Sequence, residues 1–161
     1  MTELNLSTLR GILALILSAD ETYVVPKQGN WWNPQEELAS PNNWCAYMIR
    51  ANRPKSAPYY SENTTENRVC VEKIADIELQ FVGPDSETIA NNVATWPLRS
   101  DVQSAFKTVQ GAVMYDDMTA IPSVFFQDGN NSVTAWNVTL RVLWVSILNT
   151  SQQRLVAAYI N

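Results

Sequence analysis

Residues 68–82 read Arg-Val-Cys-Val-Glu-Lys-Ile-Ala-Asp-Ile-Glu-Leu-Gln-Phe-Val, and no other stretch restricts the possible folds as tightly. Val69, Val71, Ala75, Ile77, Leu79 and Phe81 fall on one side of an extended chain, with Glu72, Asp76, Glu78 and Gln80 on the other. That is the period of two of a half-buried strand, so one face is expected to be core and the other wet. Gly83-Pro84 closes the run, because proline has no amide hydrogen for a ladder, and Asp85 or Ser86 can accept from the free amides of a helix that follows. The unit is strand, tight corner, helix. It carries no chemistry of its own.

The flanking sequence supplies what covers this strand. Asn5 or Ser7 can cap a helix running to about Ala19, with Leu6, Leu9, Leu13, Ile16 and Leu17 in a stripe that Ile12 and Leu15 widen, a breadth that predicts burial on more than one side. The apolar run within it lacks a preceding positive cluster and is too short to cross a bilayer, so a helix packed on a sheet is the better account and no membrane is implied. Glu21–Pro26 reads as a short β-type run, and 44–52 as a second strand with both faces apolar. After the organising strand the pattern predicts helices over about 85–96 and 100–109, separated by Pro97 and restarted at a Ser100-Asp101 cap. A short strand at 111–115, a strand over 121–127, a hairpin turn at Asp128-Gly129-Asn130-Asn131, a return strand over 132–147 and a last strand over 154–160 complete the chain. On the return strand Trp136, Val138, Leu140, Val142 and Trp144 share a face against Asn137, Thr139 and Arg141. The fold expected is α+β: a mostly antiparallel sheet with the N-terminal helix and the central helical segment packed on it. At 161 residues the chain is expected to form a single domain, 1–161, with loop 27–43 and arm 53–67 as insertions.

Composition removes most chemistries. There is no histidine, the commonest general base and zinc ligand. The sequence holds no nucleophile elbow, no phosphate-binding glycine loop and no Cys-x-x-Cys, so neither a catalytic residue nor a cofactor or metal is expected. Asp116-Asp117 reads as turn chemistry rather than a metal or acid–base site. Cys45 and Cys70 are too few for a secreted disulfide framework and read as buried free thiols. The net charge of -5, with Lys and Arg scattered, shows no basic stripe for nucleic acid.

What remains points to binding between proteins. Trp31 and Trp32 sit in a turn-rich loop longer than compact domains carry without a reason; either they cover the edge of the core or they anchor a protein interface, where tryptophan is enriched. Arg50 lies near the end of the second strand, and Arg53, Tyr59 and Tyr60 lie in the proline-broken arm. These six residues are the candidate oligomer or partner contacts.

The order of parts resembles a known family. A short N-terminal helix, Tyr47-Met-Ile-Arg50 on a strand, Arg68-Val-Cys-Val-Glu leading into Ile77-Glu-Leu-Gln-Phe-Val-Gly-Pro-Asp85, a helix ending near Leu98-Arg-Ser-Asp-Val and the closing Trp136-Asn-Val-Thr-Leu-Arg-Val-Leu-Trp144 are similar to the neck-terminator family of tailed bacteriophages, itself related in shape to tail terminators. The resemblance implies a virion structural protein, assembled in the host cytoplasm. Its partners would be further copies of itself in a hexameric ring, head-completion or adaptor proteins on one side and tail tube or sheath proteins on the other. DNA would pass through the lumen without specific binding. The chain departs from the family pattern by Trp31-Trp32 and the Asn-rich arm. Two other readings fit parts of the sequence: a carbohydrate-binding module stacking sugars on Trp31, Trp32 and Trp44, and a histidine-free hydrolase using Asp116 and Asp117.

Overall fold

In the computed structural model the alternating run forms one strand, Arg68–Val82, in the interior of a seven-stranded sheet. The structure describes residues 3–27, 42–61, 68–95, 97–114, 118–126 and 132–148. We label the strands β1 (Val24–Pro26), β2 (Trp44–Pro54), β3 (Tyr59–Ser61), β4 (Arg68–Val82), β5 (Ala112–Val113), β6 (Ile121–Phe126) and β7 (Ser132–Leu148). The order across the sheet is β1-β2-β4-β7-β5, with β3 paired to β4 and β6 to β7. Among the described residues only β1 runs parallel to its neighbour β2; the other pairings are antiparallel. The architecture is therefore α+β with a mostly antiparallel sheet, as expected.

Among the described residues three α-helices lie on one face: α1 (Leu6–Leu17), α2 (Ser86–Thr95) and α3 (Ser100–Phe106). Ile77, Leu79 and Phe81 of β4 point at them, flanked in register by Ile49, Tyr47 and Cys45 on β2 and by Leu140, Val138 and Trp136 on β7. Leu9, Leu13 and Phe106 meet these strands from the helical side. Each large side chain so buried contributes about 1.5–3 kcal/mol. The hydroxyl of Tyr47 donates to the Leu6 carbonyl at 2.7 Å, which ties the sheet to the first turn of α1.

Some expectations hold and others are corrected. The N-terminal helix starts where Asn5 caps it, through a reciprocal pair in which Asn5 Oδ1 accepts from the Thr8 amide and Thr8 Oγ1 from the Asn5 amide, each at 2.9 Å. It stops at Leu17, short of Ala19, because Ser18 turns into the left-handed region. The sheet and α3 cover Leu9, Ile12, Leu13 and Ile16, while Leu15 at 70% and Leu6 at 47% are exposed. Glu21–Tyr23 forms a single 3-10 turn, so the strand there is only Val24–Pro26. The start of α3 is capped by the backbone of Arg99, not by Ser100-Asp101. Asp101 instead sits in the first turn, suited to the helix dipole, and accepts from Arg99 Nε and Nη2 at 3.0 and 2.9 Å. The second strand runs on to Pro54, and the arm beyond it is partly structured, since Tyr59–Ser61 pairs with 68–70. Cys45 and Cys70 are buried and unbridged. The hairpin of β6 and β7 forms in the register Phe126↔Ser132, while its turn and the expected strand over 154–160 lie outside the described residues.

Gly83 is the corner the sequence pattern required, for a reason the pattern does not contain. Its φ is +129°, and a Cβ there would lie 2.6 Å from Asn43 Oδ1 and 2.7 Å from the Asn42 carbonyl oxygen. The chain entering β2 passes directly against it. Gly83→Ala is expected to cost about 1–3 kcal/mol from backbone strain alone, read as a lower urea midpoint at unchanged slope. A midpoint equal to that of the wild type would remove this account.

Candidate assembly surface

The other face of the sheet carries no helix among the described residues, and the acids of β4 lie on it. They are not the bare wet row that alternation predicts. Glu78 accepts from Lys27 Nζ through Oε1 at 2.9 Å and from Arg50 Nε through Oε2. Asp76 accepts from Arg53 Nη1 through Oδ2 at 2.7 Å and from Arg141 Nε through Oδ1 at 2.8 Å. The cations arrive from the residue after β1, from β2 and from β7. The result is an ionic ladder across four strands, in which Glu78 is only 9% exposed. Gln80, also expected to be wet, is 4% exposed. Cross-strand pairing explains the correction for the acids: an acid in an interior strand has a neighbour on each side, and bases reach Asp76 from both β2 and β7 and Glu78 from the β2 side.

A β-bulge decides which bases reach which acids. Along β2 the register runs Ile49↔Ile77 and then Ala51↔Asp76, so Arg50 is the extra residue. Without it, alternation would place Arg53 on the helical face with Lys73. With it, Arg53 pairs with Ile74 and shares the face of Asp76, while Asn52 turns to the helical side and accepts from Trp144 Nε1 at 3.0 Å. Burial by itself would raise both carboxyls, but the hydrogen bonds from Arg141 and Arg53 outweigh it and hold Asp76 below its ordinary value. Those from Lys27 and Arg50 do the same for Glu78.

Arg50 and Arg53 are thus brought together, their side chains 56% and 48% exposed. Tyr59, 40% exposed, pairs with Cys70 farther along β4, and Tyr60 pairs with Val69. Trp31, Trp32, Asp116 and Asp117 lie outside the described residues. The half-buried Trp44 meets Tyr23 edge-on at 4.9 Å between ring centroids. Among the described residues no cluster of His, Cys, Asp and Glu is placed to hold a metal, and no helix is long and apolar enough to cross a membrane.

Beside the ladder, Arg50, Glu78, Met118, Ile121, Asn137 and Thr139 line a cleft of about 500 Å³. Sequence reasoning missed it, although the isoleucine opening a strand of no charge was a usable signal. Ile121 is 60% exposed. Asn137 donates through Nδ2 to Ser123 Oγ at 2.5 Å, while its buried Oδ1 accepts nothing.

A family model described as phage neck terminator protein matches residues 6–160. No curated protein matches the chain.

Proposed function

This chain belongs to the phage neck terminator family, and from that premise we propose that it forms a closed ring of six copies at the head–tail junction of a tailed bacteriophage. The family is a structural one, so the chain is a component of the virion that assembles with other head and tail proteins. In this reading one rim of the ring meets head-completion or adaptor proteins and the other the tail tube or sheath. The ring is built in the host cytoplasm and performs no catalysis. The family match over nearly the whole chain carries the proposal.

Two features of the molecule support it. A sheet with helices on one side and an ionic ladder on the other offers two unlike surfaces, and head-to-tail contact between unlike surfaces closes into rings. A net charge of -5 suits a lumen that lets DNA slide past without holding its phosphates. The contacting surface in this proposal includes Arg50, Arg53, Tyr59 and Tyr60, together with Trp31 and Trp32.

Light scattering coupled to size exclusion tests the ring. The expected mass is six times the 18.1 kDa of one chain. An isolated species that stays a dimer at every concentration would refute sixfold closure.

A further inference from the structure

We propose that the cleft between Arg50 and Ile121 is the socket of the ring contact, and that it receives the helical layer of a neighbouring copy of this chain. The inference rests on the ring reading and adds the two surfaces that meet.

The argument starts from what the cleft lacks. Arg50 spends its Nε on Glu78, and its side chain stays 56% exposed. Arg53 beside it is 48% exposed. Ile121 and Met118 give the cleft an apolar wall, and a 60% exposed isoleucine gains about 1 kcal/mol or more when covered. The strand that forms the lip, β6, carries no charged residue over Ile121–Phe126, and charge is the usual device that keeps an edge from pairing.

Charge selects the occupant. The chain holds 16 acids against 11 bases, yet Lys27, Arg50, Arg53 and Arg141 gather around Asp76 and Glu78 on this one face. The helical layer has the opposite balance: Glu3, Asp20, Glu21, Asp85, Glu87 and Asp101 outnumber Arg10, Arg99 and Lys107. It also exposes Leu15 and, between α2 and α3, Leu98 at 54%. A partly apolar cleft set in a sheet face where four bases surround two acids, and an acidic, partly apolar layer on the other side, are complementary between copies. Because they lie on opposite faces of the sheet, their contact is head-to-tail and propagates; cleft against cleft would be self-complementary and stop at a dimer.

The test uses Ile121→Cys in the full chain, labelled with a thiol-directed benzophenone. Cys45 and Cys70 are buried, so the new thiol is the accessible one. Irradiation is expected to join Ile121→Cys to residues 3–23 or 85–109 of a second copy, mapped by peptide mass. In parallel, Ile121→Asp, at an exposed position, is expected to keep its melting temperature within about 3 °C of wild type and to need at least tenfold more protein to reach the ring. Thr139→Arg, also exposed, should act alike. If the wild type forms a ring while the crosslink is absent or falls in the cleft of the other copy, or while both variants assemble as wild type, the cleft is refuted and the ring stands. A wild type that is monomeric at every concentration, without crosslinks between copies, overturns both.

Discussion

Glu78→Ala is expected to destabilise the protein by about 3–5 kcal/mol, the cost of removing one partner from a buried ion pair. The side chain it abandons is the reason. Lys27 is 9% exposed, and its ammonium is held by Glu78 Oε1 at 2.9 Å. Alanine leaves that charge in a site with little water, whereas Arg50, 56% exposed, turns to solvent at small cost. For a chain of this length the loss corresponds to a fall of about 10 °C in melting temperature. Replacing Lys27 and Glu78 together by methionine should recover most of it, since the charge and its counter-charge leave together. A single variant within about 0.5 kcal/mol of wild type would mean that Lys27 finds water after all.

Acid should weaken the same contacts. Both Asp76 and Glu78 are held below their ordinary values in the folded protein, so the unfolded chain binds more protons than the folded one in this range. The contribution is complete above the unfolded carboxylate pKa near 4 and is lost as pH falls through the lower folded values. Urea midpoints are expected to drop between about pH 5 and pH 3, and the Asp76→Asn, Glu78→Gln double variant should flatten that slope. An unchanged slope in the double variant would place the acid sensitivity elsewhere.

Leu79→Asp is expected to abolish the fold. Leu79 is 1% exposed and lies between Tyr47 and Val138 in register, under the helices. The substitution removes an apolar side chain worth about 2–5 kcal/mol and introduces an unpaired carboxyl whose burial costs several more. Together these consume a stability of about 5–15 kcal/mol. Far-UV circular dichroism and a missing cooperative urea transition would report it. The control is Val124→Asp, 55% exposed on β6, which should leave the transition in place. A cooperative transition for Leu79→Asp close to that of wild type would contradict the placement of β4 in the core.

Much of this architecture was legible in the residues. The period of two over 68–82 located the central strand and its core face, since Ala75, Ile77, Leu79 and Phe81 are all buried. Pro84 and Pro97 punctuated the helices where they begin and break, and the 121–148 hairpin followed from two β-rich runs around a turn. Alternation misjudged the opposite face, because polarity along one strand says nothing about what sits on its neighbours. Arg50 was singled out as a contact near the end of a strand and Arg53 at the start of the arm, and their joint placement beside Asp76 and Glu78 could not be read there. Leu15 widens the stripe in helical spacing yet is 70% exposed in the single chain, because spacing reports the width of an apolar stripe and not what covers it.

The division has a physical basis. Alternation, caps and proline stops act over a few residues, so the chain by itself determined its elements, the core face of β4 and the absence of histidine chemistry. Register is non-local: one bulge residue at Arg50 sets which side of the sheet Arg53 and Asn52 occupy. The ladder, the cleft beside it and the contrast between a basic sheet face and an acidic helical layer were decided only when strands distant in sequence came to lie side by side.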